Sequence, residues 1–177
     1  MKTNFNPFPE IKTERLLLKQ IVQTDAEALS ALRSIDSVNQ YIERAKTQSL
    51  EEAKAQIERL TQFLTGNTGI TWTIELAPQP GLIGTICLFN FSAEHERAEL
   101  GYELHPDYQG KGVMQEAVAA VIDYATKVML AKEIEAVTHR DNAASLKLLQ
   151  RFSFVRNESE EQRIGINELQ VYILQIP

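Results

Sequence analysis

The sequence predicts an α/β fold of mixed α+β character: one mixed, largely antiparallel sheet with helices on both faces. Three observations carry this prediction. Strand-like apolar runs and helix-period segments follow one another in the order β-α-α-β-β-β-α-β-α-β-β. The turn-forming stretch Ala77-Pro78-Gln79-Pro80-Gly81 splits two of those runs, as an antiparallel hairpin requires. Around Gly110 a strand, a helix and another strand succeed each other, which needs a crossover and so one parallel pair.

Each element has its own local signal. Residues 13–22, with Leu16-Leu17-Leu18 and Ile21-Val22, read as the first strand. Thr24 followed by Glu27 is a capping box for a helix whose apolar positions are Ala28, Leu29 and Leu32. Ser49 and Glu52 repeat that signature for a longer helix with Ala53, Ile57, Leu60 and Leu64 on one face and Gly66 as its stop. Strands are expected at 70–76, 82–89 and 97–104, then a helix over 112–130 that buries Val113, Ala117, Val118, Val121, Ile122 and Ala125. A strand at 133–137, a helix over 142–152 and strands at 154–157 and 169–176 complete the chain.

Bulk properties exclude several function classes. The chain has 177 residues, enough for one domain spanning 1–177 with a real core. A formal net charge of −6 argues against a nucleic-acid backbone as direct partner. Cys87 is the only cysteine, so there is no disulfide framework and no CxxC metal or redox site; between Ile86 and Leu88 it reads as a buried strand residue. No signal peptide is legible, and no run approaches the roughly 20 apolar residues of a membrane span, which leaves a cytoplasmic protein as the expectation.

The most informative stretch is Gln109-Gly110-Lys111-Gly112, set between a strand and a helix. Two glycines one residue apart let the backbone turn tightly and gather N–H groups at a helix start, an arrangement suited to phosphate. A P-loop needs Ser or Thr after its Gly-Lys, but Gly112 and Val113 follow Lys111. A dinucleotide fingerprint needs a third glycine where Gln115 stands.

Gln109-x-x-Gly112-x-Met114 resembles the acyl-CoA pyrophosphate loop of the GNAT N-acetyltransferase superfamily, with Met114 standing where Gly or Ala is usual. The flanks Ala98-Glu99-Leu100-Gly101-Tyr102 and Gly112-Val113-Met114-Gln115-Glu116-Ala117 look most like its RimJ/RimL-like branch, which includes enzymes acetylating ribosomal-protein N-termini. A second constellation follows, Asn142-x-x-Ser145 with Leu148-Leu149 and Phe152-x-Phe154; it is similar to the family's second signature, with Ser153 where glycine is common. Taken alone, Asn142 is equally an N-cap. Glu14-Arg15-Leu16-x-Leu18 matches a common family opening.

The resemblance implies a GNAT-like acyl-CoA N-acyltransferase fold with acetyl-CoA as cosubstrate and no metal. It implies that Leu104, His105, Gln109, Gly110, Lys111, Gly112, Val113, Met114, Asn142 and Ser145 contact the cofactor. Lys111 could add a point charge or be a solvated loop lysine. Glu99 is the expected base and Ser145 the expected donor to the departing thiolate. Their alternatives are a strand carboxylate facing solvent or paired with Arg97, and a helix first-turn hydroxyl. Alternation puts Glu99, Gly101 and Glu103 on one face and Leu100, Tyr102 and Leu104 on the other, so Tyr102 would protonate the thiolate only in a different register. His95, His105 and His139 show no metal-ligand spacing.

The implied reaction moves an acetyl group to a primary amine, with a protein N-terminus as the first acceptor and a polyamine, amino acid or antibiotic as the second. A non-catalytic acyl-CoA-binding module is the alternative of another class. Tyr41, Glu43, Arg44 and Lys46 lie where the acceptor wall is expected, and they name no substrate. A monomer or homodimer is expected.

Overall fold

The computed structural model describes residues 1–42, 44, 46–47 and 49–176. Glu43, named above for the acceptor wall, lies outside the described residues. The strands are β1 (Ile11–Lys12), β2 (Leu16–Gln20), β3 (Ile70–Leu76), β4 (Gly84–Ser92), β5 (Arg97–Leu104), β6 (Glu133–His139), β7 (Val155–Arg156) and β8 (Leu169–Gln175). The helices are α1 (Ala26–Ser34), α2 (Asp36–Asn39), α3 (Leu50–Thr65), α4 (Val113–Tyr124), α5 (Ala143–Arg151) and α6 (Glu158–Ile164).

The strands form one eight-stranded sheet in the order β1-β2-β3-β4-β5-β6-β8-β7. Every neighbouring pair is antiparallel except β5 with β6, the crossover through α4. The mixed, largely antiparallel sheet expected from the sequence is therefore what forms. No helix among the described residues is long and apolar enough to cross a membrane.

The two faces of the sheet differ. One carries Trp72, Ile86, Leu88, Ala98, Leu100 and Ile134, packed with Ala117, Val118 and Val121 of α4 and Leu149 of α5 in one apolar cluster. The other, under α1 and α3, carries Thr73 and Glu75 of β3, Thr85 of β4 and Glu103 of β5, all buried. Leu29, Ala53 and Ile57 join α1 to α3 in a separate, smaller apolar cluster.

Several local expectations are corrected. Residues 13–22 are not one strand. Thr13 turns the chain, its N–H donating to the Leu16 carbonyl (3.0 Å), and the short β1 precedes it. The capping box at Thr24 does not form; instead the Asp25 carboxylate takes the Val22 N–H (2.9 Å) across a 3₁₀ turn, and α1 starts at Ala26. The helix expected to reach residue 130 changes to π geometry over Ala125–Met129 and stops at Leu130 with φ 59°. Ser49 caps α3 as expected, accepting from Glu52 N–H at 3.1 Å. Cys87 is half-buried rather than fully buried, its thiol against the Gly101 carbonyl (3.5 Å) and pushed up to about 12 by burial and the nearby Glu103.

Candidate active site

The sheet opens in its middle. β5 and β6 pair only at Arg97↔Glu133, Ala98↔Ile134 and Glu99↔Glu135. Beyond that point each strand keeps its outer neighbour, β5 pairing with β4 up to Leu104 and β6 with β8 up to His139. The result is a wedge with its apex at Glu99 and Glu135. Backbone groups on the inner edges of residues 100–104 and 136–139 have no ladder partner across it; apart from the Leu104 carbonyl, taken by Gln109, and the His139 carbonyl, taken by Asn142 N–H, they can meet an amide-bearing chain.

The glycine loop sits at the mouth of this wedge. It leaves β5 through a 3₁₀ turn, Pro106–Tyr108, with His105 N–H anchored on the Ile83 carbonyl (2.8 Å). The Gln109 side chain donates back to the Leu104 carbonyl (2.9 Å), and its backbone N–H to Pro106 (3.1 Å), so Gln109 fixes the loop's shape. Gly110 (φ 71°) and Gly112 (φ 76°) both take the left-handed conformation that glycine adopts without strain. The first helical bond of α4 runs from Glu116 N–H to the Gly112 carbonyl (3.1 Å). The N–H groups of Val113, Met114 and Gln115 therefore have no acceptor within the helix, and they lie at its positive end. Val113 is buried and Met114 packs partly buried against the core, so their side chains pin the helix start. Lys111 is exposed.

Arg15, in the β1–β2 turn, braces this loop. Its guanidinium donates to the Lys111 carbonyl (3.1 Å) and to Glu116 (2.6 Å), while Thr13 Oγ1 donates to the same carboxylate (2.6 Å). Burial would raise the Glu116 carboxyl, but the Thr13 and Arg15 hydrogen bonds outweigh it and hold it below its usual range. Sequence reasoning had placed Arg15 only as part of a family opening.

On the α4/α5 face, a hydrogen bond crosses the wedge. Tyr102 on the β5 lip lies 2.8 Å (O–O) from Ser145 Oγ in the first turn of α5, which follows the β6 lip. Tyr102 reaches Ser145 in the register read from the sequence; no shift is needed, because α5 covers the face toward which Tyr102 points. Burial raises the Tyr102 phenol, and its bond to Ser145 only partly opposes that, so the hydroxyl keeps its proton through neutral pH. Asn142 caps α5, its Oδ1 accepting from Ser145 N–H (3.1 Å).

Glu99 lies at the apex on the opposite face. Its carboxylate accepts from Asn90 Nδ2 (2.7 Å), and Arg97 instead meets Glu135 (3.2 Å) and Glu160 (3.4 Å). Asn90 has φ 48° where the β4–β5 register breaks between Phe89 and Ser92. The structure thus separates the expected base from the expected acid by the thickness of the sheet and sets both beside one gap.

Further along the Glu99 face is a charged cluster that the sequence reading missed. Glu103 accepts from Arg33 (2.9 Å), Arg44 (2.5 Å) and Thr85 (2.9 Å). Burial would raise its carboxyl; the two guanidiniums more than offset that and hold it low. The Tyr41 ring lies 5.4 Å from that of His139 at the end of β6. Among the described residues no three His, Cys, Asp or Glu side chains cluster as a metal site.

These features fit an acyl-CoA: an anion cradle at the mouth, an unpaired strand edge for the pantetheine amides, and polar groups at the depth of the thioester. The comparisons with known proteins agree. The Acetyltransferase (GNAT) domain profile matches residues 15–155. The chain is 36% identical over 147 residues to the uncharacterised N-acetyltransferase YoaA of Bacillus subtilis, covering 83% of each. It superposes on RimL, the ribosomal L7/L12 α-N-protein acetyltransferase solved with coenzyme A, with TM-score 0.82 at 18% identity, covering 95% of this chain and 98% of that one. The ribosomal-protein-S5-alanine acetyltransferase from Vibrio fischeri gives TM-score 0.77 at 21% identity, covering 94% and 96%. At those identities the superpositions show a shared fold. The family match and the B. subtilis relative settle membership: the chain belongs to the GNAT acetyltransferase family and is an N-acetyltransferase that uses acetyl-CoA.

Proposed function

We propose that the protein acetylates a primary amine at the apex of the wedge, with a protein N-terminus as its acceptor. The observation that carries this reading is the opening of the sheet beyond Glu99, with the glycine loop at its mouth and Tyr102–Ser145 across it. The N–H groups of residues 110–114 cradle the pyrophosphate, with Lys111 adding charge from outside. Gln109 holds that cradle in shape. The pantetheine runs down the free edge of β5 from His105 and Leu104. Asn142 sets the first turn of α5, and its amide N–H₂ is the group that can meet the cofactor.

The chemistry divides between the two faces. Glu99 takes the proton of the attacking amine, directly or through water, as the nitrogen adds to the thioester carbonyl. The carbon–sulfur bond then breaks, and the Tyr102–Ser145 pair returns a proton to the thiolate on the opposite side. A positioned base contributes on the order of 10²–10⁴-fold. An α-amino group, with a pKa near 8, asks less of that base than a lysine near 10.4. That difference, together with the ribosomal-protein acetyltransferases that share the fold, favours an N-terminal amine. A small-molecule amine is the second reading, favoured by the open hollow described below. We place the enzyme in the cytoplasm, as a monomer or homodimer.

The test is thiol release from acetyl-CoA with a panel of N-terminal peptides and small amines. Acceptor-dependent release is expected. Tight acetyl-CoA binding with no acceptor-dependent release from any amine would leave a cofactor-binding module instead.

A further inference from the structure

A hollow of about 540 Å³ lies beside the apex, lined in part by Met1, Phe63, Asn67, Phe89, Asn90 and Phe91. That volume falls within the roughly 300–1,000 Å³ of small-molecule sites. Two of the lining residues connect it directly to Glu99. Phe89 is the ladder partner of Glu99, and the Asn90 side chain donates to the Glu99 carboxylate (2.7 Å). The β4 irregularity makes the connection: the positive φ of Asn90 turns its amide onto Glu99, and Phe91 then packs toward Phe5 (6.0 Å between rings).

The chemistry of the lining is selective. Among the described residues, none that lines the hollow has a charged side chain, and the Met1 ammonium at its rim is already paired with Glu96. Thr3, Thr68 and the two asparagines supply neutral polar groups only. Phe63, on the last turns of α3, is 50% exposed, so its ring is available at the hollow's edge. A polyamine would find only the Glu96 carboxylate at the rim, already held by the Met1 ammonium, and an acidic acceptor would find only that same paired ammonium. An apolar or aromatic body would find three rings.

We propose that this hollow receives the body of the acceptor: a primary amine borne on an uncharged apolar group, preferably aromatic. The nitrogen reaches Glu99 past Asn90 while the apolar group lies among Phe63, Phe89 and Phe91. The first side chain of a peptide and a free arylalkylamine share this chemistry. The inference rests on Glu99 as the base, and the experiment separates the two claims.

The experiment measures kcat/KM for a Phe-initiated peptide, a Ser-initiated peptide, phenethylamine and spermidine, for the wild type, Phe63→Ser and Glu99→Gln. The wild type is expected to favour at least one aromatic amine by about tenfold or more over its non-aromatic counterpart. Phe63→Ser should erase most of that preference through KM, with acetyl-CoA affinity kept as the control for folding. Preference for the peptide identifies a protein N-terminus as the source, and preference for phenethylamine a small molecule; either supports the hollow. Equal use of spermidine and phenethylamine, or a preference untouched in Phe63→Ser, overturns it. Glu99→Gln should slow every amine alike while phenethylamine still binds the CoA complex by calorimetry. A fully active Glu99→Gln enzyme with an intact aromatic preference would remove the base and leave the hollow standing.

Discussion

The two faces of the sheet use the same strands for opposite purposes. Under α4 and α5 the surface is apolar: Ile86, Leu88, Leu100 and Ile134 are at most 3% exposed, and Tyr102–Ser145 is a polar pair set into that packing. Under α1 and α3 the same strands bury Thr73, Glu75, Thr85 and Glu103. Burying a charge is costly unless it is paired, so Glu103 comes with Arg33 and Arg44. The contrast teaches that one face supplies the packing that fixes the glycine loop, while the other buries polar groups, with Glu103 on the β5 lip of the gap among them.

The comparison can be broken most sharply at the loop. Gly112→Trp forces a bulky residue into a left-handed position (φ 76°) in front of the N–H cradle. Acetyl-CoA binding should be lost, by roughly 100-fold or more by titration calorimetry, with the circular dichroism spectrum retained. Undiminished affinity would show that the anion site is elsewhere.

Glu99→Gln comes next. Turnover should fall on the order of 10²-fold, with the Kd for acetyl-CoA unchanged. A loss of cofactor affinity instead would place Glu99 in the cofactor site.

Glu103→Ala tests the polar face as architecture, since it leaves the buried Arg33 and the half-buried Arg44 without their carboxylate. Breaking such a pair costs about 3–5 kcal/mol, readable by urea denaturation. The pH dependence has a definite sign. The folded carboxyl is held below its unfolded value near 4.3, so its stabilisation is full above that pH and is lost as pH falls through the folded value. Glu103→Gln should flatten stability below about pH 4.3 relative to wild type; parallel curves would count against the ion cluster.

The smallest effects should come from the hydroxyl pair. Tyr102→Phe and Ser145→Ala are each expected to lower kcat about tenfold, and the double variant further, if the two act as one donor relay. Should Ser145→Ala alone stay within a few-fold while Tyr102→Phe does not, Tyr102 is the donor and Ser145 its partner.

Much of this was legible in the sequence where signals are local. Residues 70–76 and 97–104 alternate cleanly, and both strands form with those bounds. Ser49 and Asn142 stand at helix starts and cap them. The two glycines announced a tight strand-to-helix turn by residue type alone, and both take positive φ there. What escaped was long-range or short. The four residues of α2 and the two of β1 are too few for any periodicity to register. Which residues of β5 lose their partner depends on how two strands diverge, and Tyr102 meets a hydroxyl 43 residues away. Arg44 finds Glu103 across 59 residues, from a stretch whose composition gave no hint of an ion cluster.

The Arg15 brace has a consequence for how the proposed cofactor site comes into being. Its two guanidinium hydrogen bonds span 96 and 101 residues, from the turn after β1 to the start of α4. The cradle is therefore shaped before any ligand arrives, and little ordering entropy is left for binding to overcome. If the loop holds the cofactor as proposed, the affinity for a nucleotide-bearing thioester should depend on this bracing segment. Trimming the chain's first fifteen residues should weaken the cofactor's hold while every residue of the loop remains in place.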